Sequence, residues 1–156
     1  MTTLVLPDPE LTKGRFASIS AYSDEALYAA TGVRIAFTTR EGGVSEGPYA
    51  SLNLGSHVKD DLASVQENRR RVQQAFACED APLFVPNQVH GDVVLGLGDP
   101  ENIDASLTPA QARELALQVQ DGADGLVVHA SNTAALLCYA DCVPVIIVSP
   151  TGRFAV

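Results

Sequence analysis

The 156-residue chain has no tryptophan, one methionine, three cysteines and only 10 basic side chains against 19 acidic ones. Each shortage excludes something. Three cysteines, Cys78, Cys138 and Cys142, are an odd number in a chain of this length, which argues against a disulfide framework and for a reducing compartment. A net charge of −9 repels a phosphate backbone, so nucleic acid is not an expected partner. The one basic cluster, Arg69 to Arg71, reads as a solvated helix face. No apolar run is long enough to span a bilayer, so no membrane association is expected. The N-terminal "MTTLVLPDPE" lacks the basic and apolar regions of a signal peptide, which makes the cytoplasm the expected location.

What is present describes ordinary globular protein. Hydrophobic residues make up 46% and charged residues 19%, enough for one compact domain over 1–156. "SDEALYAATG" predicts a short helix with Ser23 or Asp24 as N-cap and Gly32 as its stop. Alternation over Val33, Ile35 and Phe37 predicts a strand. Ser64 and Glu67 have the spacing of a capping box before a helix that presents Val65, Val72 and Phe76 on one face. Thr108, Pro109 and Gln111 predict the start of another. "LFVPNQVHGDVVLGL" reads as two short strands, and "DGLVVHA", "TAALLCY", "VPVIIVS" and "GRFAV" as four more. Helices and strands are mixed rather than alternating, so the expected class is α+β: mixed, sandwich-like β-sheets flanked by helices, cut short at the C-terminus.

Between the first strand and the Ser64 helix lies "TTREGGVSEGPYASLNLGSHVKDD", far longer than an ordinary connection, and loops of that kind usually carry function. Arg40 stands where strand meets glycine-rich loop, a common place for an anion-binding arginine, although a surface role fits equally well. No Gly-Lys-Ser/Thr follows, so a Walker-type nucleotide site is unsupported.

His90 and Cys142 offer an imidazole and a thiolate, donors that suit zinc or copper. On spacing alone, a buried cysteine and an unrelated histidine is the favoured reading over a metal site. Asp141, beside Cys142, is a candidate to turn the chain, to support a ligand or to act on substrate. Extended backbone would hold Cys138 about 13 Å from Cys142, beyond the roughly 7 Å of a disulfide. Cys138 and Cys78 read as core thiols. His57 and His129 read as loop and strand-end residues.

The segments "FTTREGGVSEGPYASLNLGSHVKDD", "NRRRV", "NQVHG", "GADGLVV" and "YADCVPVIIV" together resemble the peptidoglycan-editing-factor family, also known as laccase-like polyphenol oxidases and zinc-dependent purine nucleoside phosphorylases. The resemblance runs in the family's order from about Phe37 to the end. Lys59, where the family more often has glycine, and His129, where it has a small polar residue, depart from the pattern. The resemblance implies that His90 and Cys142 are metal ligands, with a third, a histidine, expected beyond Val156.

It further implies phosphorolysis of adenosine, inosine, guanosine or methylthioadenosine, with adenosine deamination as a companion, and zinc as the cofactor with copper as the other candidate. The expected partners are then a purine nucleoside and phosphate. By position, Arg40 and Ser45 are candidates for phosphate, Asn53, Asn87 and Gln88 for base or ribose, and Asp141 joins His90 and Cys142 as catalytic. The competing readings are a metal-free cysteine hydrolase with Cys142 as nucleophile and His90 as base, a copper phenol oxidase, and an inactive or binding module. An open strand at 154–156 would favour self-association.

Overall fold

The computed structural model describes residues 6–102 and 105–149. The expected strand "GRFAV" and its open edge lie outside them. Helices and small mixed sheets make the class α+β, as expected, and the described chain divides into two compact units.

The first unit comprises residues 7–29 and 34–79. Strands β1 (Thr12–Phe16), β2 (Ile19–Ser23) and β3 (Ala36–Thr38) form an antiparallel sheet in the order β1-β2-β3. The β1–β2 hairpin has no counterpart in the sequence expectations. Its connection is Ala17-Ser18, with Ala17 at φ 50°, rather than the Asn-Gly or Asp-Gly that signals such turns. β3 is shorter than the alternation over 33–37 suggested and starts later.

Helix α1 (Glu25–Thr31) follows Asp24, whose Oδ1 accepts the Leu27 N–H at 2.8 Å, so Asp24 rather than Ser23 is the cap. Helix α2 (Leu62–Ala75) begins earlier than expected: Asp61 caps it, accepting the Ser64 N–H at 2.9 Å, and Ser64 lies inside the first turn. Asp61 displaces Ser64 because its carboxylate is an acceptor that strengthens near the positive helix end. Val65 is buried, and the Phe76 ring stands 4.8 Å from the ring of Phe16.

The second unit holds residues 30–33 and 80–149. β4 (Leu83–Phe84) pairs in parallel with β7 (Ala134–Ala135), and β5 (Val94–Leu97) pairs in parallel with β6 (Gly125–Val128). Helix α3 (Pro109–Asp121) lies between β5 and β6 in sequence and carries the expected Thr108/Gln111 capping box. Phe84, Leu97, Val119, Ala123 and Leu126 form the buried core, with Ala112 and Leu115 adding the helix face.

Two strand expectations are corrected here. "TAALLCY" contributes only the two residues of β7, and residues 143–147 of "VPVIIVS" form no strand. Val143, Val145 and Ile147 are 87%, 68% and 60% exposed, so these β-branched residues lack the burial and cross-strand contacts that turn propensity into a strand.

Candidate functional site

In the first unit the long loop is organised by one side chain. Asn68 of α2 is completely buried, and its Oδ1 accepts the Val44 N–H at 2.7 Å. Its Nδ2 donates to Ser45 Oγ at 2.8 Å, to the Asn53 carbonyl at 2.8 Å and to the Ser51 carbonyl at 3.2 Å. Asn68 occupies the same helix face as Val65 and Val72. A polar residue on an apolar stripe was the signal available in the sequence.

The loop closes tightly enough to require two of its glycines. A Cβ on Gly42, at φ 100°, would meet the Ser18 carbonyl, and one on Gly43 would meet the Ser51 carbonyl. Ser45 donates to Asp60 Oδ2 at 2.7 Å, and Asn53 donates to the same oxygen at 2.9 Å. These two bonds, Asn53 first, hold the Asp60 carboxyl below its ordinary pKa. Ser45 is buried, and Asn53 also exchanges hydrogen bonds with Gly55. Both side chains are therefore engaged inside the loop.

Arg40 is exposed; its Nε donates to the Ala50 carbonyl at 2.7 Å and its Nη2 to that of Pro48 at 3.4 Å. The basic cluster on α2 has partners of its own. Arg70 and Arg71 both bind Glu67, whose carboxyl is pulled down to about 2 by them, and Arg69 donates to the Leu54 carbonyl at 2.9 Å.

In the second unit, Asn87, Val89, His90 and Gly91 lie exposed on the connection from β4 to β5, with Gln88 half-buried. His90 adopts φ 58°, a left-handed conformation uncommon for a residue with a Cβ. Asp124, at the entry to β6, accepts the backbone N–H groups of Val89, His90 and Gly91 at 3.0, 2.8 and 2.7 Å. Those donors, Gly91 first, keep its carboxyl below the usual range against the opposing effect of desolvation. Neither composition nor periodicity singled out Asp124, which stands between Ala123 and Gly125.

Cys142 and Asp141 lie exposed on a bend. Gln88 Oε1 accepts the Cys138 N–H at 2.9 Å, which ties the segment before His90 to the segment before Cys142. Partial burial, then the nearby Cys138 and Cys142 thiols, raises the Tyr139 hydroxyl pKa. All three cysteines are free, as expected, and burial followed by the Glu79 charge pushes the Cys78 thiol up. His57 is exposed in the loop, and His129 is half-buried at the end of β6.

An imidazole and a thiol, both open to solvent, are donors of the kind zinc takes. Among the described residues no group of three or more His, Cys, Asp and Glu side chains gathers as a metal site. Nor is any helix there long and apolar enough to cross a membrane.

Residues 34–156 match the family described as multi-copper polyphenol oxidoreductase laccase. The chain belongs to that family. Among curated relatives of this laccase-type family, "Purine nucleoside phosphorylase YlmD" of Geobacillus stearothermophilus is 38% identical over 115 residues, which is 74% of this chain and 39% of that protein. "Purine nucleoside phosphorylase Rv2149c" of Mycobacterium tuberculosis is 41% identical over 123 residues, 79% of this chain and 43% of that one. The chain thus spans about two-fifths of the length of these relatives, which are named as enzymes. The crystal structure of YlmD aligns with a TM-score of 0.61 at 32% identity, covering 90% of this chain and 44% of that one. The Bacillus licheniformis protein YfiH aligns at 0.67 with 28% identity, covering 88% and 47%.

Proposed function

We propose that the protein is a zinc-dependent purine nucleoside phosphorylase, transferring the ribosyl group of adenosine, inosine, guanosine or methylthioadenosine from base to phosphate, with adenosine deamination as a companion activity. The names of the relatives support the substrate class. The observation that carries the reading is the Gln88–Cys138 hydrogen bond, which joins the two segments bearing the only exposed imidazole and thiol of the described second unit.

His90 and Cys142 are assigned as metal ligands, with a third donor outside the described residues. Zinc held there supplies a Lewis acid and a bound water of lowered pKa. Asp141, one residue from the thiol, is assigned to handle a proton at the reacting nucleoside. Asn87 and the amide nitrogen of Gln88 present hydrogen-bonding groups for base or ribose edges. Arg40, exposed at its loop, is the cation assigned to phosphate. Ser45 and Asn53 hydrogen-bond within that loop, so we assign them to shaping it and not to direct contact with phosphate or ribose.

The test is incubation of the zinc-loaded protein with each nucleoside, with and without phosphate, reading free base and ribose 1-phosphate. Release of base that depends on phosphate is expected, and Arg40→Ala should raise the Michaelis constant for phosphate. A copper-loaded sample is assayed with phenols in parallel, because the family description names that chemistry. Phenol oxidation without nucleoside cleavage would replace this reading with the oxidase.

A further inference from the structure

Three successive N–H groups aimed at one point form a concave anion-binding arrangement, which commonly holds phosphate. At Val89, His90 and Gly91 that anion is supplied by the protein itself: the Asp124 carboxylate, more than thirty residues along the chain. Oδ1 accepts from Val89 and His90 and Oδ2 from Gly91, so each oxygen has its own donors. The arrangement is therefore closed to phosphate.

We infer that Asp124 is a positioning residue, whose carboxylate locks the turn that presents His90. The inference rests on the reading of His90 as a site residue. The lock has a definite task. His90 sits at φ 58°, where a residue with a Cβ is disfavoured by about 1–2 kcal/mol, so the turn needs an external constraint to persist. Charge-assisted hydrogen bonds from three consecutive residues supply it. Backbone contacts continue the constraint on the N-terminal side, where the Asn87 carbonyl accepts the Ala123 N–H at 3.1 Å and the Asn87 N–H donates to Val119 at 3.2 Å.

Asp124→Asn replaces one accepting oxygen with an NH2 group, which faces an N–H donor and breaks part of the set. Asp124→Glu keeps the charge and both oxygens. In the intact protein, zinc affinity is measured by competition with a chelator, and amide exchange is followed at residues 89–91, with circular dichroism to confirm folding. We expect Asp124→Asn to lose about tenfold or more in zinc affinity and to speed exchange at 89–91, with Asp124→Glu restoring part of both. In a His90→Ala background the Asp124→Asn change should cost little further affinity, whereas a general loss of structure would add to it.

If the wild-type protein binds no zinc, the ligand reading of His90 falls, and exchange at 89–91 alone decides the lock. Unchanged exchange in Asp124→Asn overturns the inference, and so does unchanged affinity where the wild type binds zinc.

Discussion

Gln88 Oε1 and the backbone N–H of Cys138 meet at 2.9 Å across fifty residues of chain. Gln88 lies two residues before His90 and Cys138 four before Cys142, so this bond sets the spacing between the two proposed ligand segments. Gln88→Ala should weaken zinc binding by about tenfold, the lower end of what loss of an orienting contact costs. Gln88→Glu, which keeps an acceptor oxygen, should lose less. Equal losses in the two variants, read by chelator competition, would remove the hydrogen bond as the cause.

The cysteines differ in environment, and that difference is measurable. Cys142 is exposed while Cys78 and Cys138 are half-buried, and burial raises the Cys78 pKa, which lowers its thiolate fraction at neutral pH. Iodoacetamide should label Cys142 first, and added zinc should slow that labelling selectively if Cys142 is a ligand. Peptide mass spectrometry at short times gives the order. Labelling of Cys142 at the same rate with and without zinc would count against the ligand assignment and favour a metal-free thiol.

The start of α3 was legible because capping is local chemistry: Thr108, Pro109 and Gln111 announce it within four residues, whereas α2 is capped by Asp61 and not by the expected Ser64. The loop's tight turns were legible from its glycines. Its internal wiring was not, because Asn68 reaches Val44, Ser45, Ser51 and Asn53 over 15 to 24 residues, and no local pattern encodes such a bond. The same holds for Asp124 and His90. The strand expected at 143–147 failed for a related reason: β-propensity expresses packing against neighbours, and Val143, Val145 and Ile147 have little in the described residues.

Asn68 is the single side chain on which the loop most depends. Asn68→Ala leaves the Val44 N–H without its acceptor and the Asn53 carbonyl without this donor, at a cost of about 2–4 kcal/mol. Asn68→Asp keeps the acceptor but directs a second oxygen at two carbonyls, so it should be no better tolerated. Urea unfolding midpoints check both. A loss below about 0.5 kcal/mol in either variant, the range of ordinary surface substitutions, would show that the loop finds other partners.

The acid limb of stability offers a separate check on the first unit. Asp24 is only 2% exposed, and it accepts the Leu27 N–H at 2.8 Å and the Glu10 N–H at 2.9 Å. These bonds, Leu27 first, lower its pKa from the ordinary 3.8, although burial acts in the opposite direction. A depressed folded pKa gives stabilisation that is complete above the unfolded value and disappears as pH falls through the folded one. Asp24→Ala should therefore cost about 1–2 kcal/mol at pH 6, the usual worth of such a cap. The gap from wild type should narrow below about pH 4, as the wild-type carboxyl takes up its proton. Urea midpoints at pH 6 and at steps below 4 give both quantities. A gap that stays constant through the acid range would mean that shape at position 24 matters and its charge does not.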